Sequence, residues 1–301
     1  MTRQTGAHTA ALAGIALVVS ATALFAMLDT TTKFVSLSVP LLMALWFRYL
    51  FQAVATTMFV LPTRGLAVLK TGHPKYQCLR GLLLLASSLF AFFSLKYMPV
   101  GEFTAIVMIT PLVITLLAAT ALKEKVSLLR WVLVAGGFIG TLVIIRPGDD
   151  AFDWTMLLPL GLVTTNAWFQ VLTSRLARTE DPVTMHFYTG WVGALLATLA
   201  VPFVWTRLGS WKLWALLTLM GALATVGHFL LILAYKRAPA ATLTPFLYAQ
   251  IAFAMFGGWL VFSHVPDHWS MNGMVLIAIC GACGAWLTVR EGRVMVEPVE
   301  S

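Results

Sequence analysis

The chain reads as an all-α integral membrane protein with ten transmembrane helices in two inverted-topology five-helix repeats, and three observations predict it. Of 301 residues, 59% are hydrophobic and 11% are charged, whereas soluble domains carry about 25% charged residues. Apolar stretches near the length of about 20 residues needed to cross hydrocarbon follow one another with short loops between them. The second half also resembles the first at a shift of 140 residues.

The spans come in order from the charge map. Charge-free stretches cover 4–28, 81–95, 103–122, 131–145, 154–174, 213–235, 238–266 and 268–289. Two more, about 40–61 with Arg48 inside and about 183–206, bring the number to ten. The fifth is short, but Arg130 and Arg146 flank it and can snorkel outward. A single transmembrane domain over 1–301 results, with repeat one at about 8–148 and repeat two at about 152–292. Leu12–Leu28, with Arg3 before it and Ala21-Thr22-Ala23 inside it, has signal-peptide character. The repeat needs this segment as its first helix, so it is read as retained.

Loop charge sets orientation. With a cytoplasmic N-terminus, 14 Lys and Arg residues lie inside, Arg80 among them, and 5 lie outside. Both termini are therefore expected in the cytoplasm of a bacterial-type inner membrane. The net charge of +8 is accounted for without nucleic acid as a partner.

The repeat rests on Phe47/Phe187, Gly81/Gly221, Lys96/Lys236, Pro99/Pro239 and Thr104/Thr244. Lys96-Tyr-Met-Pro-Val matches Lys236-Arg-Ala-Pro-Ala at equivalent turns. Five spans per repeat is an odd number, so the second repeat enters the membrane from the opposite side. Inverted repeats of this kind place substrate near the midplane in many secondary transporters.

These residues resemble the drug/metabolite transporter superfamily, in its EamA-like ten-helix branch, over nearly the whole chain. Lys33 ending the first helix, Arg48 in the second, and the Lys96–Gly101 turn carry the resemblance. So do Leu122-Lys123-Glu124-Lys125-Val126-Ser127, Ala135-Gly136-Gly137 and the run from Ala234-Tyr235 to Ala241. The second half departs at His264, where the family usually repeats the Glu seen at Glu124. Within the family, the aromatic-rich character is closest to the YddG-type amino-acid exporters. The resemblance implies a transporter and not an enzyme.

No nucleophile–base set, zinc-protease sequence or nucleotide loop occurs, and no cofactor is implied. His264 and His268 straddle Pro266 and Asp267 in a loop and do not read as a metal site. Cys280 and Cys283 lie among small residues and read as helix packing. Gly136/Gly140 and Gly281/Ala285 have the spacing for close helix approach, between the fifth and tenth spans or across a dimer seam. A monomer or weak homodimer is expected.

Polar residues in spans mark the candidate site. Ser88 aligns with His228, Thr110 with Gln250 and Met108 with Tyr248. With Asn166 and Trp168 they suggest a substrate-binding cavity comprising Ser88, Thr110, Asn166, Trp168, His228, Tyr248 and Gln250. Hydrogen bonding between helices is the alternative. Asp29, Lys33, Arg48 and Glu102 are expected in the outer third. They read either as a static ion-pair cluster, with Asp29 and Lys33 paired one turn apart, or as an outer gate. Pro111, Pro159 and Pro245 are candidate hinges, since each removes a helix hydrogen bond.

The functional expectation is a secondary transporter exporting small metabolites, amino acids foremost, by alternating access. Both deep carboxylates lie toward one face, which favours uncoupled movement. Proton-coupled export of other metabolites or drugs is the alternative, and a membrane enzyme or scaffold is a weaker one. The partners are a small-molecule substrate and the lipid bilayer.

Overall fold

The structure, a computed structural model, describes residues 2–65, 69–110, 112–113, 117, 128–146, 153–177, 179–237, 243 and 246–294. Among the described residues there are ten α-helices in chain order. They are α1 (Thr2–Ser36), α2 (Leu41–Arg64), α3 (Pro74–Tyr97), α4 (Val100–Val107), α5 (Leu128–Ile145), α6 (Leu158–Leu176), α7 (Pro182–Ala200), α8 (Trp211–Arg237), α9 (Ala249–Phe262) and α10 (His268–Val294). Single 3₁₀ turns precede α6 (Trp154–Leu157) and follow α7 (Val201–Phe203).

Six helices, α1, α2, α3, α6, α7 and α8, are long and apolar enough to cross a membrane, with shorter apolar stretches in α5, α9 and α10. Helix α4 has eight residues. Most of the expected fourth span beyond it, including Pro111, lies outside the described residues, as do Glu124, Pro239 and Pro245.

Prolines mark helix starts because the first turn has no amide hydrogen bond to lose. Pro74 and Pro182 open α3 and α7, and Pro40 and Pro99 stand just before α2 and α4. The hinge reading of Pro159 is corrected on the same ground. It sits in the first turn of α6, where its missing N–H breaks nothing.

The helices pack in related pairs. Helix α1 lies against α8 and α9, α3 against α6 and α7, and α2 against α7 and α8. Helix α5 packs on α10, and α4 on α9 and α6. Exchanging each of α1–α5 for the helix five places later turns α1–α8 into α6–α3, α2–α8 into α7–α3 and α1–α9 into α6–α4. The α2–α7, α4–α9 and α5–α10 contacts map onto themselves. Gly81 obeys the exchange too. A methyl group on Gly81 would stand 2.6 Å from Val192 of α7, and one on Gly221 2.6 Å from Phe51 of α2.

The α5–α10 contact uses the glycines. A methyl on Gly140 would meet the Gly273 carbonyl at 2.9 Å, and one on Gly136 would meet Cys280 Sγ at 2.6 Å. Their G-x-x-x-G face is therefore occupied within the chain and does not offer a dimer seam. Gly281 of α10 instead receives the Tyr248 ring.

Signal-peptide cleavage after Ala23 would cut through the core, since Val18, Ala21 and Thr22 are all fully buried. The exterior is apolar. Phe59 is 78% exposed, Leu199 72% and Phe203 87%. Trp154, Trp205, Trp211, Trp214 and Trp269 are exposed near helix ends, where interfacial tryptophans sit.

Two polar ties close the ends of the bundle. At one, Glu180 after α6 accepts from Thr71 Oγ1 (2.9 Å), Gly72 N (3.0 Å) and His73 Nδ1 (3.0 Å) before α3. At the other, Arg146 pairs with Asp267 at 2.8 Å, and His264 Nε2 lies 3.0 Å from Glu102 Oε1. Burial alone would raise the Glu180 pKa, but the bonds from His73, Thr71 and Gly72 outweigh it and hold it below the ordinary value. A lowered folded-state pKa stabilises above the unfolded value and is lost as pH falls through the folded one. Glu180→Gln is therefore expected to lower Tm at neutral pH, by roughly 1–3 kcal/mol in stability. The gap from wild type should shrink below the ordinary carboxylate range, which melting of detergent-solubilised protein across pH would show.

Candidate substrate cavity

A cavity of about 120 Å3 lies where α1, α2, α3, α4, α6, α8 and α9 converge. That is room for several water molecules. Asp29, Arg48, Ser87, Ser88, Thr110, Asn166, Gln170, His228 and Gln250 form its polar wall, and Phe25, Leu28, Phe103 and Phe169 are among its apolar members. Five pairs at the 140-residue shift line it together: Asp29/Phe169, Ser88/His228, Ala91/Leu231, Val107/Leu247 and Thr110/Gln250. A recess of about 20 Å3 behind it shares Asp29, Arg48 and Ser88 and runs toward Thr32 and Leu95.

Arg48 is the centre of the polar wall. Its Nη1 donates to Ser88 Oγ at 3.0 Å, and its Nη2 lies 3.1 Å from His228 Nε2. Arginine has no acceptor, so Nε2 of His228 must accept and the ring proton belongs on Nδ1. That Nδ1 and Arg48 Nε are buried without a hydrogen-bond partner. Ser88 is saturated. Its hydroxyl donates to Leu84 O (2.8 Å) and accepts from Arg48 and from Tyr49 Oη (2.8 Å). Ser88 thus orients the guanidinium and has no capacity left for a ligand.

Asp29 faces the same space from α1. Gln250 Nε2 donates to its Oδ2 at 3.1 Å. On α6, Gln170 Nε2 donates to Asn166 Oδ1 at 2.6 Å, and Tyr235 Oη donates to Gln170 Oε1 at 2.7 Å. The Asn166 amide hydrogens stay available. Thr110 spends its proton on Val107 O (2.6 Å) and keeps its acceptor lone pairs.

The structure rearranges the expected sets. Asp29 and Arg48 join the cavity. Helix α1 runs on to Ser36, seven residues past Asp29, and α2 starts seven residues before Arg48. At about 1.5 Å per residue both lie roughly 10 Å inside their helix ends. The expected Asp29–Lys33 pair does not form. Lys33 Nζ instead donates to Leu95 O (3.0 Å) and Met98 O (2.8 Å), carbonyls at the end of α3. A cation suits that position, where helix carbonyls lack amide partners. Glu102 engages His264, the position where the second half departs from its family pattern.

Trp168 and Tyr248 do not line the cavity. Trp168 is 43% exposed on the outside of α6, while Phe169 is 3% exposed. Asn166, Phe169 and Gln170 share one helix face at i, i+3 and i+4, and position 168 points elsewhere. The same period would have found Phe169 in the sequence. Tyr248 is buried against Gly281 with its hydroxyl unpartnered.

A cavity lined by charged and polar side chains among the apolar helices of a multi-pass membrane protein is the kind of site a small-molecule carrier needs. Residues 12–146 match the EamA-like transporter family. The chain is 31% identical over 285 residues to a riboflavin transporter of Rhizobium johnstonii, covering 90% of this chain and 88% of that one. It is 26% identical over 249 residues to an S-adenosylmethionine uptake transporter of Rickettsia bellii, covering 83% and 85%. It is 24% identical over 286 residues to the pseudopaline exporter CntI of Pseudomonas aeruginosa, covering 93% and 97%. The chain belongs to the EamA-like transporter family of drug/metabolite transporters.

Proposed function

We propose that the protein carries small zwitterionic metabolites, amino acids foremost, out of the cell by uncoupled alternating access through this cavity. The observation that carries the reading is a carboxylate and a guanidinium, Asp29 and Arg48, facing one small space. Arg48 Nε and His228 Nδ1–H suit a substrate carboxylate, and Asp29 suits an ammonium group. Ligand pockets for drug-sized molecules span about 300–1,000 Å3, so the cavity as it stands favours a smaller solute than a flavin. Relatives named for uptake and for export point both ways on direction. Export is kept for the resemblance to amino-acid exporters.

The reading includes ten spans in two inverted repeats in a bacterial-type inner membrane, with both termini cytoplasmic. The helix exchange and the five paired wall positions support the repeats. The family match over 12–146 falls within the first of them. The end ties join only loops that alternate crossing puts on one face. Arg80 no longer counts among the inner loop charges, because it is 1% exposed inside the bundle, and the bias survives without it.

The test is a panel of amino acids, sugars, nucleosides and riboflavin in proteoliposomes. Saturable flux of amino acids is expected. Flux of the other classes with none of amino acids overturns the proposal.

A second reading is proton coupling through Asp29. It is favoured by the placement of this carboxylate on the cavity wall, where coupled carriers keep theirs. An imposed pH gradient that drives amino-acid accumulation, and fails to in Asp29→Asn, would establish it over the uncoupled reading.

A further inference from the structure

Arg80 has no part in the cavity described above. It is 1% exposed, and among the described residues no carboxylate lies within ion-pairing distance of it. A buried charge without a counter-charge is costly inside a membrane. Its Nε donates to Thr173 Oγ1 (2.9 Å), and its Nη1 donates to Met185 O (2.7 Å) and, at 3.4 Å, to Gln77 Oε1. Among the described residues, no hydrogen-bond partner reaches its Nη2 amino group.

Phe169 connects this residue to the cavity. The Arg80 guanidinium carbon stands 5.3 Å from the Phe169 ring centroid. The same ring meets His228 edge-on at 6.1 Å and 82°, and it forms part of the cavity wall. The Thr173 hydroxyl that accepts from Arg80 donates to Phe169 O at 2.7 Å. The ring thus lies near both the cavity's histidine and a second guanidinium. Nearby on α2 and α7, Gln52 Nε2 donates to His186 O at 3.2 Å, while Gln52 Oε1 and His186 Nε2 are buried without partners.

We infer that Arg80 is a second carboxylate-binding station, separated from Arg48 by the Phe169 ring, and that displacement of this ring passes the substrate's carboxylate from one guanidinium to the other. The inference rests on the zwitterionic reading of the cavity for its substrate class. Under the proposed orientation the second station lies on the cytoplasmic side, so Phe169 is the inner gate.

Two experiments test it. In a background with Cys78, Cys280 and Cys283 replaced by Ala, Thr173→Cys is labelled with methanethiosulfonates carrying either a sulfonate or a trimethylammonium group. Phe169→Ala should speed labelling by both. Arg80→Gln should lower the sulfonate-to-ammonium rate ratio by about tenfold, the scale of one lost hydrogen bond to a charged group. A ratio indifferent to Arg80, or no labelling with Phe169→Ala, overturns the inference.

In proteoliposomes, Arg80→Gln should cut L-phenylalanine flux by about tenfold and L-phenylalaninamide flux less than about twofold, with Arg80→Lys restoring part of the first. Equal loss of both, accompanied by a lower Tm, would make Arg80 a structural crosslink of α3, α6 and α7. If the wild type carries neither probe, the cavity reading fails, and the labelling ratio still decides on Arg80.

Discussion

Arg48→Met is expected to lower amino-acid flux per folded protein by at least about 30-fold, the equivalent of roughly 2 kcal/mol. Truncating one member of a buried, hydrogen-bonded charge set costs about 2–5 kcal/mol in binding. Here the loss strands Asp29 across the cavity and frees Ser88 and His228 from the group they orient. Arg48→Lys should recover little. A lysine has no planar fork to meet Ser88 and His228 together. Flux normalised to monodisperse protein after size exclusion separates this effect from misfolding. Near-wild-type flux in Arg48→Met would remove the guanidinium from the site.

Gly140→Val should be among the most damaging single changes to stability at the packing positions. The added carbon would meet the Gly273 carbonyl at 2.9 Å and Ile277 Cγ1 at 2.8 Å. Overpacking typically costs about 1–3 kcal/mol. This case belongs at or above the upper end, because one of the obstacles is backbone and cannot change rotamer. The α5–α10 seam would have to part. A large fall in Tm is expected, with loss of flux in proportion to loss of folded protein. Gly65→Ala is a useful contrast, since nothing lies within 4 Å of the added carbon but φ is +56°, so its cost is local backbone strain in a turn.

Much of the architecture was legible because lipid writes a strong signal. Charge-free runs gave the helices in order, and five residue pairs at one constant offset meet again on the cavity wall. Ser88/His228 and Thr110/Gln250 reached the cavity wall by that offset alone. The errors had a common cause, the reading of hydropathy where helix geometry was needed. A charge ends an apolar window without ending a helix: the charge-free run stops before Asp29, while α1 continues to Ser36. Trp168 attracts a site reading by its chemistry, while the 3.6-residue period through Asn166 and Gln170 selects Phe169. Arg80 reads as a loop cation in the sequence because it follows Lys75 and the loop before α3, and nothing in a linear string reveals α6 and α7 closing over it. Pro159 shows the same limit, since a proline's effect depends on which turn it occupies.

Paired positions of the wall differ in chemistry: Asp29 stands where its counterpart is Phe169, and Ser88 where it is His228. Under the proposed alternating access, opening toward one compartment is then not energetically equivalent to opening toward the other. Half-saturation concentrations measured from the two sides should differ, and maximal velocities should differ in the same ratio. Without coupling, the Haldane constraint then holds the solute's concentrations equal at rest, so the carrier is lopsided in kinetics and impartial at equilibrium.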